Sequence, residues 1–211
     1  MKKRSILLSV LLIFTMLLSA CSGNTEDFEG KWVGTLDVTQ QFEDGIKAAY
    51  PDLADHVDFE DLVFTLDISF VEGEMFITVR QDSIDKFNTN FAEGMKNLAK
   101  NYWSAGLATY DMTLEEDIFE SGLNEEDYIA RIYSTTGIDK MITAMVDVTN
   151  TTLDRISMME GTYTILGKEL RLWYTENSYE AMGYSFEGDD LNIVIKGDSF
   201  SLLIKCVKEA K

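Results

Sequence analysis

Residues 62–80 read LVFTLDISFVEGEMFITVR, and their pattern gives the clearest indication of the fold class. Apolar side chains occupy every second position from Phe64 to Phe70, and threonine, aspartate and serine stand between them. An alternation with a period of two is typical of a β-strand with one buried face. Glu72 and Gly73 interrupt the alternation and lead into a second apolar stretch from Met75 to Arg80. The segment therefore predicts a β-hairpin.

The same alternation recurs on both sides of this hairpin. Upstream, one strand is predicted from Trp32 to Val38. Downstream, two similar units begin at Gly161 and Gly183, and each holds a strand, a glycine turn and an apolar strand. A last strand follows, from Phe200 to Cys206. Three strands before the central segment and five after it predict an α+β fold, built on an eight-stranded antiparallel barrel or strongly curved sheet.

The central segment has the apolar period of α-helices. We expect three or four helices from residue 83 to about residue 153, inserted into a single domain of residues 30–211. Ser83 is a predicted N-cap, and Thr113 with Glu116 is a predicted capping box. A further short helix is predicted between Gln41 and Asp61.

The N-terminal residues carry the pattern of an exported protein. Three basic residues precede an apolar run that is shorter than the roughly 20 residues needed to span a bilayer, so residues 1–20 are predicted to be a signal peptide. Leu18-Ser19-Ala20-Cys21 resembles the lipobox at which bacterial lipoproteins are acylated and cut. The resemblance implies a mature chain that begins at a lipid-bearing Cys21, with palmitate among the acyl chains. Residues 21–29 then tether the domain to the outer face of a bacterial cell membrane.

A second resemblance concerns the strands. Gly30-Lys31-Trp32 is similar to the Gly-x-Trp entry of lipocalin-like, calycin-type β-barrels. The later glycine-tyrosine hairpins are similar to those of bacterial lipocalin-like lipoproteins. The resemblance implies that Trp32 closes one end of the barrel and that a basic residue, Lys205 or Lys208, crosses its ring. The large helical block departs from the usual plan of that family.

The chain is strongly acidic, with 37 Asp and Glu against 18 Lys and Arg and a formal net charge of −19. Such a surface repels nucleic acid, so no nucleic-acid partner is expected. Eight of the carboxylates and no basic residue lie between Thr109 and Asp127. We call residues 109–127 the acidic face and predict that it is solvated. It lacks the spaced oxygen ligands and central glycine of an EF-hand loop, so no metal site is predicted.

Motifs for catalysis are missing from the sequence. His56 is the only histidine, so a Ser-His-Asp triad and a multi-histidine zinc site are not expected. The sequence has no P-loop, no Gly-x-Gly-x-x-Gly motif and no nucleophile elbow. Cys206 shares the apolar positions of the last strand and is interpreted as a small core residue. We therefore expect a protein that is not an enzyme and has no cofactor.

Two functions of different classes follow from these features. The first is a binding module for a small apolar or amphiphilic ligand, because the strands and a Met- and aromatic-rich helical block are able to enclose a cavity. The second is an envelope protein that docks a basic partner protein through the acidic face. The residues predicted to line the ligand site of the first are Tyr102, Trp103, Met141, Met145, Trp173 and Tyr184.

Overall fold

Strands and helices follow one another in the order that the sequence predicts. The computed structural model describes residues 27–197 and 201–209. One strand, an α-helix and a 3₁₀ helix precede a hairpin, four α-helices and a five-stranded meander. The bounds are β1 Gly30–Asp37, α1 Thr39–Ala49, the 3₁₀ helix Pro51–His56, β2 Val63–Val71, β3 Glu74–Val79, α2 Gln81–Ala108, α3 Leu114–Ser121, α4 Glu125–Thr136, α5 Ile138–Ser157, β4 Glu160–Leu166, β5 Glu169–Thr175, β6 Ser178–Glu187, β7 Asp190–Lys196 and β8 Ser201–Lys208.

The eight strands form one antiparallel sheet that closes on itself. Neighbours in the chain are neighbours in the sheet, and β1 pairs with β8. The turn between β2 and β3 is the predicted Glu72-Gly73 pair, whose φ values are 54° and 83°. Two positive φ values match the twist that a two-residue hairpin requires. The prediction of an α+β protein with eight antiparallel strands in a closed, barrel-like sheet is confirmed.

The chain divides into two compact units. Of the described residues, the sheet unit contains residues 27–36, Leu66–Thr78 and those from Ser157 onward. The helical unit contains Asp37–Thr65 and Val79–Ile156. The predicted helical block, residues 83 to about 153, corresponds to four helices over residues 81–157. The grouping of residues 30–211 into a single domain stays a prediction.

A capping box sets the start of one helix in the helical unit, whereas the predicted cap of another is absent. At the start of α3, Thr113 Oγ1 accepts from the Glu116 backbone N–H at 3.2 Å, and Glu116 Oε2 accepts from the Thr113 N–H at 2.8 Å. This is the predicted capping box. The predicted cap at Ser83 is wrong, because α2 begins at Gln81 after an extended Arg80. Ser83 Oγ donates instead to the Arg80 carbonyl oxygen, at 2.8 Å.

The described end of the predicted tether is packed onto the sheet unit. Phe28 is only 1% exposed, and its ring centroid lies 4.9 Å from that of Tyr184. Glu29 accepts a hydrogen bond from the Tyr163 hydroxyl at 3.5 Å. The sequence predicts a polar tether through Glu29, whereas the chain is already held at Phe28. The predicted signal peptide, Cys21 and Phe200 lie outside the described residues.

Candidate functional site

Apolar side chains pack tightly on the inner face of the sheet unit. Leu191 in β7 opposes Cys206 in β8, and Leu170 in β5 opposes Met182 in β6. All four side chains are 0% exposed. A side chain that lined a cavity wide enough for water would retain accessible surface, so these pairs leave no room for a ligand between them. The same full burial applies to Leu66, Ile68, Phe70, Met75, Leu172, Ile193 and Ile204.

Trp32 is buried in the sheet unit under a lysine. Its indole Nε1 donates to the Phe28 carbonyl oxygen at 2.8 Å, and only 2% of the residue is exposed. The Lys208 ammonium lies 4.9 Å from the centroid of the Trp32 ring. Lys208 is the residue directly opposite Trp32 across β1 and β8, whereas Lys205 opposes Thr35. Because side chains alternate between faces along a strand, only Lys208 is on the Trp32 side.

The residues predicted to line a ligand site are distributed over both units. Within the sheet unit, Trp173 pairs with the exposed Tyr179, whereas Tyr184 pairs with the buried Ile193. Trp173 and Tyr184 therefore lie on opposite faces of the sheet and do not line one pocket. The ligand site itself stays a prediction. The structure places Tyr102 and Trp103 in α2, Met141 and Met145 in α5, Trp173 in β5 and Tyr184 in β6.

Trp103 belongs to a hydrogen-bonded cluster that joins α2, α3 and α4. Its Nε1 lies 3.1 Å from Asp117 Oδ2 and 2.8 Å from the Tyr128 hydroxyl oxygen. The Tyr128 hydroxyl in turn donates to Asp117. The bonds from Tyr128 and then Trp103 lower the pKa of Asp117 below its usual 3.8. The pKa of Tyr128 is raised to about 12, mainly by burial and to a lesser extent by the hydrogen bond to Asp117. One carboxylate of the acidic face is thus structural.

Other carboxylates of the acidic face also have partners within the helical unit. Glu125 pairs with Lys100 at 2.5 Å and with Lys96 at 3.4 Å. Both bonds lower the pKa of Glu125, and the bond from Lys100 has the larger effect. Bonds from the Thr113 N–H and hydroxyl lower the pKa of Glu116 in the capping box. Among the described residues, no salt-bridge partner contacts Asp111, Glu115, Glu120 or Glu126.

Two large aromatic side chains stand exposed within the acidic face. Phe119 in α3 is 86% exposed, and Tyr110 just before α3 is 81% exposed. The apolar pattern of the sequence suggests core positions at Ile118 and Phe119, yet α3 has no buried residue. Glu115 stands four residues before Phe119 and therefore on the same side of the helix. Sequence reasoning missed Phe119 and Tyr110, because apolar character alone does not reveal that nothing packs on them.

His56 and Cys206 carry potentially reactive side chains, but both pack against neighbouring residues. His56 ends the 3₁₀ helix, and its ring contacts that of Tyr102 edge-on, with centroids 5.8 Å apart. Burial raises the pKa of the Cys206 thiol to about 12, so the thiol stays protonated and unreactive. Within residues 27–197 and 201–209, no group of three or more His, Cys, Asp or Glu side chains is placed to hold a metal ion.

Similarity to known proteins adds no assignment to this geometry. Comparisons of the chain with family models, with curated proteins and with solved structures found no match. Among the described residues, no helix combines the length and the apolar character that a membrane span requires.

Proposed function

We propose that this protein is a lipid-anchored, non-enzymatic module of the bacterial cell envelope that docks a basic partner protein through its acidic face. One observation supports the docking function most strongly. Phe119, a large aromatic side chain that is 86% exposed, projects from a helix whose first turn holds three carboxylates. Aromatic side chains are enriched in protein interfaces, where a polar rim surrounds the residues that contribute most to binding.

Charge selects the kind of partner. Asp111, Glu115, Glu120 and Glu126 are exposed and have no salt-bridge partner in the part of the chain that the structure describes. Lysine or arginine side chains of a partner supply the missing opposite charges and speed the encounter. Anionic lipid headgroups and nucleic acid are repelled by the same carboxylates. A basic protein surface with an apolar recess for Phe119 is therefore the proposed occupant.

Photo-crosslinking in intact bacteria tests the docking function. A photoreactive phenylalanine analogue replaces Phe119 in one strain and Val148 in another. Val148 is the matched control, because it is an apolar residue of the same unit, on α5, and is 66% exposed. We expect one discrete adduct from position 119, with a protein whose contacting region is basic, and no such adduct from position 148. Equal labelling at both positions, or an acidic partner, contradicts the proposal.

The anchor is proposed from the lipobox resemblance at residues 18–21. Two acyl chains suffice for stable membrane attachment, so the mature chain needs no spanning helix. Cells fed a labelled palmitate analogue should transfer the label to the natural protein, which should partition into detergent. The Cys21→Ser variant should remain unlabelled. Label on the Cys21→Ser variant, or a natural protein that stays aqueous, would refute the anchor.

The finer description of the fold is a lipocalin-like barrel. The closed order of eight antiparallel strands, the buried Trp32 near the start of β1 and the lysine over its ring all support this proposal. An experimental structure that superimposes its strands on a lipocalin in the same order tests it. A different order or an open edge between β1 and β8 would reject it.

Binding of a small apolar ligand is the second candidate. It rests on the helical unit, where Tyr102 and Met145 are half-buried and Val146 is 38% exposed on α5. Native mass spectrometry of the purified protein, compared with its denatured mass, tests this function. A small molecule retained by the native protein would support the ligand function. Equal native and denatured masses, at protein concentrations high enough for weakly bound ligands to remain, would count against it.

A further inference from the structure

An open groove crosses the outer face of the sheet unit at β3, β4 and β5, and its volume is about 660 Å³. Glu74 in β3 is paired with Thr162 in β4, and Thr162 is paired with Trp173 in β5. Directly paired residues project from the same face, so these three form a row across three strands. Neighbouring strands are about 4.8 Å apart, which places the backbones at the two ends of the row about 10 Å apart.

Small residues on the middle strand create the depth of this groove. Gly161 and Thr162 of β4 form its floor, between Glu74 on one side and Trp173 with Tyr174 on the other. Gly161 has a φ of 156°, and a Cβ there would lie 2.2 Å from the Trp173 carbonyl oxygen. Only glycine therefore allows β4 and β5 to approach at this point. The floor is fixed by the backbone itself.

The indole of Trp173 is held in place before any ligand arrives. Its Nε1 donates to Thr164 Oγ1 at 2.9 Å, and its ring lies 4.6 Å from that of Tyr179. Arg171 covers the Tyr179 ring, with its guanidinium carbon 4.8 Å from the centroid. The polar atom of Trp173 is thus used within the sheet, and what it offers to a ligand is an aromatic surface. Such preorganisation lowers the entropic cost of binding.

The strand pairing changes at the far wall of the groove. The register between β5 and β6 shifts between Trp173 and Thr175, so Tyr174 stands at an irregularity. Irregularities of this kind re-aim side chains and recur beside binding sites. Tyr174 is 42% exposed and lines the groove beside Trp173. Two aromatic side chains therefore face the same open space.

The charges of the lining residues decide which ligand fits. Glu74 and Glu176 both line the groove, and none of the lining residues is a lysine or an arginine. Over residues 27–197 and 201–209, neither carboxylate has a salt-bridge partner. Carboxylates beside aromatic rings are the combination that recognises an ammonium group carried on apolar carbon. We infer that this groove is a binding site for an alkylammonium cation of the polyamine type.

Calorimetric titration of the purified protein with spermidine at low ionic strength tests the inference. We expect saturable binding at one site. Glu74→Gln and Glu176→Gln should each weaken it about threefold or more, since each removes one charge from the groove. Glu187→Gln, an exposed position on β6 that does not line the groove, is the charge-matched control and should leave the affinity unchanged. Mg²⁺ at the same ionic strength should displace spermidine poorly, because it has no apolar carbon for Trp173.

Several outcomes would overturn the inference. They are the absence of saturable spermidine binding, an equal loss of affinity in Glu187→Gln, and equally tight binding of Mg²⁺. Binding of a neutral oligosaccharide in place of spermidine would reassign the groove to sugars. The Trp173→Phe variant, which keeps an aromatic face, should retain more affinity than Trp173→Leu. Circular dichroism of both Trp173 variants separates loss of the site from loss of the fold.

Discussion

Gly94 in α2 allows an aromatic side chain to pack against the helix backbone. A Cβ at position 94 would lie 2.3 Å from Phe59 Cδ1. Phe59 is 4% exposed and stacks on Phe91 at 6.0 Å, so it has no free space into which to move. The sequence shows only a glycine inside a helical pattern, where glycine is unfavourable by about 1 kcal/mol relative to alanine. The packing that explains Gly94 depends on a residue 35 positions earlier in the chain.

The Gly94→Ala variant should lower the free energy of unfolding by about 1–3 kcal/mol, the usual cost of overpacking. Gly106→Ala is the matched control in the same helix, because a Cβ there meets nothing within 4 Å. It should raise the free energy of unfolding by up to about 1 kcal/mol through helix propensity. Urea denaturation measures both values. A stabilising Gly94→Ala substitution would show that Phe59 does not pack on this glycine.

Asp117 makes the free energy of unfolding depend on pH. Its folded pKa is lowered by bonds from Tyr128 and Trp103. A group with a lowered folded pKa stabilises the fold above its unfolded pKa, and this contribution is lost as the pH falls through the folded pKa. Asp117→Asn should therefore cost about 2 kcal/mol at pH 7, as expected for hydrogen bonds to a charged acceptor. The difference from the natural protein should shrink below the usual aspartate pKa of 3.8.

Denaturation of the natural protein and the Asp117→Asn variant at pH 7 and at pH 3 checks this prediction. Asp111→Asn is the control, because Asp111 is exposed and no described residue forms a salt bridge with it. A cost of Asp117→Asn that is the same at both pH values would indicate lost packing and not a lost charge.

Among the helices and strands, the sequence predicts those turns and caps that neighbouring residues determine. The Glu72-Gly73 turn and the Thr113 capping box are each specified by neighbouring residues, and both are present. The sequence predicts a cap at Ser83, but Arg80 is extended and takes the cap position three residues earlier. The choice between Lys205 and Lys208 stayed open because it depends on the register of β1 with β8, the two ends of the chain.

Lys208 should contribute to closure of the sheet through its contact with Trp32. Lys208→Met should lower the free energy of unfolding by about 0.5–1 kcal/mol, the value of an exposed cation–π contact. Lys205→Met, three residues earlier on the opposite face, should change it little. Thermal denaturation compares the two variants. The stability lost in Lys208→Met should be smaller at high salt than at low salt, because salt screens the contact. Equal effects in both variants would argue against a specific contact.

The function of a protein surface depends on which side chains the folded chain leaves exposed. The acidic stretch was visible in the sequence, but the exposure of Phe119 was not, because burial is decided by which elements pack on α3. The groove near Trp173 was hidden for the same reason. The sequence predicts a ligand site lined by both Trp173 and Tyr184, whereas the strand pairing places the two on opposite faces. Each case requires a register or a packing partner that is distant in the chain.

Mutation of the acidic face should weaken docking more than an equal loss of charge elsewhere. The first variant carries Glu115→Gln, Glu120→Gln and Glu126→Gln, all in the acidic face. The second carries Glu160→Gln, Glu187→Gln and Asp190→Asn, all exposed in the sheet unit. Both variants change the net charge by the same amount. The comparison therefore separates a local contact from general attraction between opposite charges.

The most direct test is the dissociation constant of the partner crosslinked at position 119, measured for these two variants at low and at high salt. We expect the acidic-face variant to bind at least about tenfold more weakly, with a shallower dependence on salt, and the sheet-unit variant to bind nearly as the natural protein does. Equal weakening in both variants, or an affinity of the natural protein that salt leaves unchanged, would contradict docking through the acidic face.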